Sequence, residues 1–269
     1  MVPQLCEACL KIDILGCSGG IGPGLQTTTF LVDDSLLVDA GSGLGTLSIE
    51  QMLAVRNVVI THAHIDHILG LPLMLATIYD QHMEPVDVYA SEAVISALRQ
   101  HIFNWTIWPD FSQLPAHRPI LRLHSIEEDS EFQVANYRIR SLPAEHPSPA
   151  MGYLISDGNS SFAFTGDSGF HPPFWHKVNE FRPQLLIVDV SFTDDALELA
   201  LDSGHMTAAQ LSEAIALLRY CPQVRITHLK AGFEQAISDQ CGRSGPVTVS
   251  PLRHGETLHL TKAGVMQSR

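Results

Sequence analysis

Positively charged residues are scarce in this chain of 269 residues. Lysine and arginine together number 16, of which four are lysines, against 29 aspartates and glutamates, so the formal net charge at pH 7 is −13. Surfaces that bind nucleic acid or anionic membranes depend on clusters of these cations. The deficit argues against a nucleic-acid partner and against a membrane surface.

Long apolar runs and a paired set of cysteines are also missing. No run of 18 apolar residues occurs, and residues 1–10 lack the basic and apolar segments of a signal peptide. Five cysteines are an odd number in a long chain and do not suggest a secreted disulfide framework. We therefore expect a cytoplasmic protein. Cys6 and Cys9 have the spacing of zinc ligands, but no second pair follows, so we interpret them as unrelated thiols.

Apolar residues and histidines are plentiful instead. Hydrophobic residues make up 45% of the chain and charged residues 17%, below the ~25% usual in soluble domains. A sizeable core is therefore available, and we expect residues 1–269 to form a single domain. The 14 histidines make metal chemistry the first hypothesis to test.

Strand-like runs alternate with helical patterns along the whole chain. The glycine-rich stretch 16–24 leads into another strand, whereas a dinucleotide-binding fingerprint would lead into a helix, so a nucleotide cofactor is excluded. Strands are predicted at 11–17, 28–32, 36–39, 55–61, 85–90, 132–134, 137–142, 152–155, 161–165, 185–190, 224–227, 247–250 and 257–260, and helices at 68–79, 93–103, 207–220 and 232–240. This order predicts an α/β (α+β) fold in which two mixed sheets face each other with helices outside, a four-layer αββα sandwich.

The segment 104–119 is irregular and contains Trp105, Trp108, Phe111 and three prolines. It is too apolar for a solvated linker. It is either a packed corner or the wall of a cleft, where it could offer an aromatic face to a ligand.

Four potential metal ligands lie within six positions after the predicted strand 55–61, as His62-x-His64-x-Asp66-His67. Residues i and i+2 of an extended segment share a face, so His62 and His64 can converge on one ion. The turn into the next helix directs Asp66 and His67 elsewhere, where they can serve a second ion. Two ions ~3.5–4 Å apart are an arrangement that hydrolyses phosphate esters. The alternative is a polar turn in which Asp66 caps the helix.

Three more candidate ligands follow later strands. His146, Asp167 and His228 each lie just beyond a predicted strand, and strand ends on one edge of a sheet can meet at a single site. Each has an ordinary structural explanation alone, but together with the first cluster they form a set.

The stretch Thr61-His-Ala-His-Ile-Asp-His-Ile-Leu-Gly-Leu71 resembles the H-x-H-x-D-H signature of the metallo-β-lactamase superfamily. The resemblance covers most of the chain, and four segments are most similar to the class II 3′,5′-cyclic-nucleotide phosphodiesterases: 164–168, 189–192, 203–207 and 226–230. It implies a metallo-β-lactamase-type sandwich with two metal ions, usually Zn²⁺, with Mn²⁺ or Fe²⁺ as alternatives. The implied ligands are His62, His64 and His146 for the first ion, Asp66, His67 and His228 for the second, and Asp167 bridging both.

His205 lies just before the predicted helix that begins with the capping box Thr207-x-x-Gln210. Its position alone is also consistent with a structural residue that hydrogen-bonds a carbonyl group at the start of the helix. The resemblance implies that it donates a proton to the leaving oxygen, with Asp189 holding its tautomer. Asp189 stands where this branch more often has glutamate.

The resulting hypothesis is a dinuclear phosphodiesterase that hydrolyses a small phosphodiester such as a cyclic nucleotide. A hydroxide between the ions attacks phosphorus, Asp66 orients it, and His205 protonates the 3′-oxygen. The resemblance allows a homodimer. Three alternatives stay open: a ribonuclease Z-like enzyme, because Gly70-Leu71-Pro72 is equally similar to that branch; a hydrolase of sulfate esters, thioesters or lactones on the same fold; and a structural zinc protein, which seven candidate ligands disfavour.

Overall fold

A computed structural model describes residues 9–82, 84–242, 247–262 and 264–268, and within them the strands form two sheets. In spatial order, the first sheet contains β15 (Gly264–Ser268), β14 (Thr257–Thr261), β1 (Leu10–Gly16), β2 (Thr29–Val32), β3 (Leu36–Val38), β4 (Asn57–Val59), β5 (Val86–Ala90) and β6 (Leu121–Ser125). The second contains β13 (Val249–Pro251), β12 (Gln223–Thr227), β11 (Leu185–Asp189), β10 (Ser161–Phe164), β9 (Met151–Ser156), β8 (Tyr137–Pro143) and β7 (Glu131–Val134).

Helices connect these strands. They are α1 (Ile49–Ala54), α2 (Ile65–Ile68), α3 (Gly70–Ile78), α4 (Glu92–Ala97), α5 (Pro172–Phe181), α6 (Leu197–Ser203), α7 (Ala208–Ala216) and α8 (Glu234–Cys241). Within the described part of the chain, no helix has both the length and the apolar character needed to cross a membrane.

The two sheets pack face to face through a shared apolar core. Strand β1 alternates buried and half-buried residues, as expected for a strand with one face toward such a core. Phe30 of the first sheet meets Phe164 of the second edge to face, with ring centroids 5.1 Å apart. The hydroxyl of Tyr153 donates to the carbonyl of Ile60, 2.8 Å away. Contacts of this kind fix the register of one sheet against the other.

Helices cover the outer face of each sheet. Side chains of α1, α3 and α4 pack on the first sheet, and side chains of α5, α7 and α8 pack on the second. The predicted four-layer αββα sandwich is therefore confirmed.

Several predicted boundaries were wrong. The helix predicted at 207–220 ends at Ala216, because the side-chain amide of Asn179 donates to the carbonyl of Leu217 and accepts from the N–H of Arg219. The helix predicted at 93–103 is α-helical only in α4 and continues as a wide π-type turn, Leu98–Ile102. The strand predicted at 55–61 pairs only at β4. Elements α1, α5, α6, β6 and β15 were not predicted.

The segment 104–119 is a packed corner. Phe111 is buried and its ring lies 6.3 Å from that of Phe103 and 5.6 Å from that of Tyr79. Trp105 and Ile107 remain exposed. Of the two cysteines discussed above, Cys6 lies outside the described residues, and the Cys9 sulfur lies 3.5 Å from Nδ1 of His259.

Candidate metal centre

The first-sheet contribution to the site follows β4 directly. The chain leaves the sheet, passes His62 and enters the short helix α2, with His64 in extended conformation at its N-cap. Asp66 and His67 lie within α2 and belong to a different ligand group from His62 and His64. This is the division between extended and helical positions that the sequence predicted.

The second-sheet contribution comes from strand ends on one edge. β10, β11 and β12 are parallel neighbours, and β8 runs in the same direction because β9 is antiparallel to both β8 and β10. His146, Asp167 and His228 therefore follow strands that all end at this edge. His228 is held at φ 63°, a backbone conformation that is uncommon outside glycine and that occurs often at functional sites.

All seven predicted ligands come together in two groups that share Asp167. One group is His62, His64, His146 and Asp167, and the other is Asp66, His67, Asp167 and His228, with the ligand atoms of each group within 4.8 Å of one another. Asp167 Oδ2 lies 3.6 Å from Nε2 of His62, 3.2 Å from Nε2 of His67 and 3.3 Å from Nε2 of His228. This carboxylate is at the centre of the cluster.

Four imidazoles are oriented through the nitrogen that faces away from the cluster. Nδ1 of His67 lies 2.8 Å from Asp39 Oδ2, and Nδ1 of His62 lies 3.1 Å from the hydroxyl of Thr61. Thr61 in turn donates to Asp39 through its N–H and its hydroxyl. Partners of this kind fix the ring tautomer and leave Nε2 available as a metal ligand.

The other two imidazoles, those of His146 and His228, are oriented by contacts with loops of the second sheet. Nδ1 of His146 lies 3.0 Å from the carbonyl oxygen of Gly204, and Nδ1 of His228 lies 2.8 Å from the hydroxyl of Ser191. Gly204 has φ 70°, and a Cβ there would collide with Pro147 and His146. Glycine is therefore required for the chain to approach His146 this closely.

The donor set fits divalent transition metals. The buried atoms His62 Nε2, His67 Nε2 and Asp167 Oδ1 make no hydrogen bond of normal geometry, although buried polar atoms usually have a partner. Burial lowers the pKa of His62, His64 and His146, which favours the neutral imidazole that a metal requires. Nitrogen and carboxylate donors in this mixture suit zinc and its neighbours in the first transition row.

A third group, Asp189, His205 and His228, shares His228 with the second ligand group. Nδ1 of His205 lies 2.6 Å from Asp189 Oδ2, and the His205 ring stacks on that of His228 with centroids 5.0 Å apart. Asp189 is the last residue of β11 and also accepts from the N–H of Ser168. Burial alone would lower the pKa of His205, but the Asp189 carboxylate more than offsets this and raises the pKa above its ordinary value.

The hydroxyl of Ser191 connects the third group to the ligands. It donates to Asp189 Oδ1 at 2.7 Å and is positioned to accept from Nδ1 of His228 at 2.8 Å. Ser191 is fully buried. It therefore links the carboxylate that orients His205 to a metal-ligand candidate.

Replacing Ser191 with alanine is expected to weaken metal binding at the His228 group by roughly 10- to 100-fold, because His228 Nδ1–H loses its acceptor. Competition with a chromophoric chelator measures this affinity. Ser160→Ala is the matched control, since Ser160 is also buried but donates to the carbonyl of Leu260 away from the site. Equal metal affinity in both variants would show that Ser191 does not orient the ligand.

Sequence reasoning assigned no role to four groups that position the site: Asp39, Thr61, Ser191 and the carbonyl of Gly204. The usable signal for Asp39 was its position directly after the apolar strand β3, the same strand-end position that identified Asp167. The other three carry no comparable signal, because their contacts depend on where distant loops meet.

Comparisons with known proteins agree with this architecture. Residues 35–229 match the family described as "Beta-lactamase superfamily domain". A probable 3′,5′-cyclic-nucleotide phosphodiesterase of Yersinia pestis is 28% identical over 86% of this chain and 81% of its own length. A ribonuclease Z of Pyrococcus horikoshii is 27% identical over 64% of this chain and 57% of its own length. The crystal structure of unliganded yeast PDE1 shares the fold, with a TM-score of 0.80, 18% identity and coverage of 92% of this chain and 98% of that one.

The matched family region covers more than half of the chain and contains every candidate ligand and His205. Its fold implies divalent metal binding, and the histidine and aspartate groups described above supply the side chains for it. The chain therefore belongs to the beta-lactamase superfamily, has the metallo-β-lactamase fold and is a hydrolase.

Proposed function

We propose that the protein is a dinuclear-metal phosphodiesterase that hydrolyses 3′,5′-cyclic nucleotides to 5′-nucleotides, with residues 1–269 acting as one domain. The observation that carries the proposal is the central position of Asp167, whose carboxylate is common to two ligand groups while His205 lies beside one of them. Paired metal groups next to a separate proton donor suit the cleavage of a phosphodiester, which needs charge neutralised at phosphorus and a proton on the leaving oxygen.

The proposed ligands are those of the two groups: His62, His64 and His146 for one ion, Asp66, His67 and His228 for the other, and Asp167 for both. Zn²⁺ is the proposed metal, with Mn²⁺ or Fe²⁺ as alternatives. Bound at these residues, two such ions supply positive charge for the phosphoryl oxygens and lower the pKa of water. Asp66 is half-buried, with Oδ2 3.2 Å from His228 Nε2, and in the proposal it also orients the attacking water.

His205 supplies the proton for the leaving oxygen. With Nδ1 bonded to Asp189, the nitrogen left to donate is Nε2. The raised pKa keeps more of the imidazole in the charged, proton-donating form near neutral pH. Asp189, itself fixed by the N–H of Ser168, holds the ring in this orientation.

The relatives and the net charge both support the proposed substrate class. The Yersinia pestis relative aligns over more of its length than the ribonuclease Z does. The net charge of −13 also gives little support to binding a large polyanion such as transfer RNA. A small phosphodiester needs only the local charge of the metal site.

The test is hydrolysis by metal-loaded protein of three substrates under one set of conditions: cyclic AMP, bis(p-nitrophenyl) phosphate and a precursor transfer RNA. We expect turnover of the first two and no processing of the third. If the protein hydrolyses bis(p-nitrophenyl) phosphate but not cyclic AMP, the cyclic-nucleotide assignment is refuted, whereas the broader assignment as a phosphodiesterase stands.

A ribonuclease Z-like activity is the second candidate, because that relative is nearly as similar in sequence and Gly70-Leu71-Pro72 fits either branch. Endonucleolytic cleavage of the precursor transfer RNA in the same experiment would establish it.

A further inference from the structure

A cysteine and a histidine from opposite ends of the chain meet on the outer face of the first sheet. Cys9 directly precedes β1, and its sulfur lies 3.5 Å from Nδ1 of His259 on β14. The two strands are antiparallel neighbours, with Leu10 opposite Leu260. These leucines are buried between the two sheets, so the residues next to them, Cys9 and His259, lie on the other face. Both are half-buried.

The separation of the two atoms suits joint ligation of one metal ion. In tetrahedral zinc sites the metal lies ~2.3 Å from a cysteine sulfur and ~2.0–2.1 Å from a histidine nitrogen. A tetrahedral angle between these two bonds places the sulfur and the nitrogen about 3.5–3.6 Å apart. The distance between Cys9 Sγ and His259 Nδ1 is 3.5 Å. A thiol that donates to the imidazole would give a similar distance, so metal binding has to be measured directly.

The second ring nitrogen of His259 also has a partner. Nε2 lies 3.1 Å from the hydroxyl of Ser268 on β15, the strand on the other side of β14. When this hydroxyl accepts the Nε2 proton, the lone pair of the neutral ring is on Nδ1, which faces the cysteine sulfur. A partner at the second nitrogen orients metal-binding histidines in the same way. The His259 ring is therefore positioned to offer Nδ1 as a ligand.

The sequence supplies another sulfur three residues before Cys9. Cys6 and Cys9 have the spacing of zinc ligands, and the sequence alone offered no further ligand for this pair. The fold supplies one, because it brings His259 to Cys9 from 250 positions away. Two thiolates would also balance the charge of a divalent cation.

We propose that Cys6, Cys9 and His259 bind one Zn²⁺ ion at a structural site separate from the candidate metal centre. The ion joins the segment that precedes β1 to the hairpin of β14 and β15, and so connects the two ends of the chain. Three protein donors leave the fourth tetrahedral position to water. The proposal is independent of the proposed function.

The two sites lie at opposite ends of the first sheet. Strand β1 has seven residues, which at about 3.3 Å per residue extend over ~20 Å. Cys9 comes just before this strand, whereas Cys17 comes just after it and accepts a hydrogen bond from the N–H of His228. No residue is therefore shared between the proposed zinc site and the candidate metal centre.

The test uses Co²⁺ as the probe, because thiolate ligands give Co²⁺ an intense near-ultraviolet charge-transfer band that nitrogen and oxygen ligands do not. The candidate metal centre contains no sulfur ligand, so the band reports on the proposed site alone. Full-length, zinc-loaded protein is kept reduced with a phosphine and passed through gel filtration with a mild chelator. This step empties a three-donor site on the surface and leaves the ions of the buried centre in place. Co²⁺ is then titrated.

The variants are Cys6→Ser, Cys9→Ser, His259→Ala and Ser268→Ala. Cys221→Ser is the matched control, because Cys221 is an exposed cysteine that precedes β12 in the other sheet. Thermal melting of each variant shows whether it has folded. Cys6→Ser keeps the test valid if a change at the Cys9 contact prevents folding.

Wild type and Cys221→Ser should develop the band, with saturation at one Co²⁺ per chain, and added Zn²⁺ should remove it. Ser268→Ala should keep the band but bind Co²⁺ roughly 10- to 100-fold more weakly, the usual cost of losing an orienting partner. The two cysteine variants should lose band intensity, and they and His259→Ala should lose more affinity than Ser268→Ala does. Absence of the band in wild type, or wild-type titrations of Cys9→Ser and His259→Ala, overturns the proposal.

Asp167→Ala should keep the cobalt band, because Asp167 belongs to the other site. Loss of the band in this variant, if it is folded, would assign the signal to the candidate metal centre and overturn the proposal. Failure of the protein to hydrolyse cyclic AMP would refute the proposed function and leave the cobalt result unchanged.

Discussion

Replacing Asp167 with alanine is expected to remove both metal ions and to abolish phosphodiesterase activity. The carboxylate lies within 3.6 Å of ring nitrogens from both ligand groups, so each group loses a ligand at once. Loss of a partner that only orients a ligand costs about 10- to 100-fold in affinity, and loss of a shared ligand should cost more than roughly 100-fold at each group. Elemental analysis should find close to two ions per chain in wild type and none in the variant.

Asp66→Ala is the control for this prediction. Asp66 belongs to only one of the two groups, so this variant should keep the ion held by His62, His64 and His146. One ion per chain in wild type, or two ions retained without Asp167, would contradict a dinuclear centre. Thermal melting of both variants shows whether either has simply failed to fold.

Replacing His205 with alanine should separate proton donation from metal binding. We expect a loss of roughly 10²- to 10⁴-fold in turnover of cyclic AMP, whose leaving ribose 3′-oxygen needs a proton. The loss should be much smaller on bis(p-nitrophenyl) phosphate, because p-nitrophenolate departs without protonation. Metal content should stay at the wild-type value, since both ligand groups are complete without His205. Equal losses on the two esters, or loss of metal, would assign His205 a structural or ligand role instead.

Asp189→Asn should act as a milder form of this variant with a distinct pH profile. The carboxylate raises the pKa of His205 against the effect of burial, so the amide should let that pKa fall. His205 donates only when protonated, and its protonated fraction falls as pH rises through the pKa. The alkaline limb of turnover on cyclic AMP should therefore move to lower pH. An unmoved limb would show that Asp189 does not act through His205.

The order of the layers and the candidate metal ligands could be predicted because the sequence patterns that indicate them are local. The motif His62 to His67 occupies six residues, and the candidates at 146, 167 and 228 follow recognisable apolar strands. Their proximity is observed, while metal ligation by them stays a prediction. The orienting contacts were not predictable, because Asp39 and His67 are 28 positions apart and Ser191 and His228 are 37 apart. Only the folded chain brings such pairs together.

The sequence also failed to predict some helices and strands, because their sequence patterns are weak or misleading. Strand β6 includes Arg122 and His124, polar residues that pair with Asp87 on the adjacent strand. Its alternation of apolar and polar residues is limited to Leu121 through His124, which is too short a run to identify a strand with certainty. Helix α5 buries Phe174, Trp175 and Val178 on one face, but it begins with Pro172 and Pro173, and two consecutive prolines indicate a turn or loop when only the sequence is read.

The candidate ligands come from both sheets, four from the segment after β4 and three from strand ends of the opposite sheet. Ions held by this set would tie the two halves of the sandwich together, and they would bind the folded chain far better than the unfolded one. Metal binding is then coupled to folding. A free ion at ~100 times its dissociation constant adds about 2.7 kcal/mol to the free energy of unfolding. Metal supply would thereby set how long the protein survives proteolysis in a cell as well as how fast it turns over substrate.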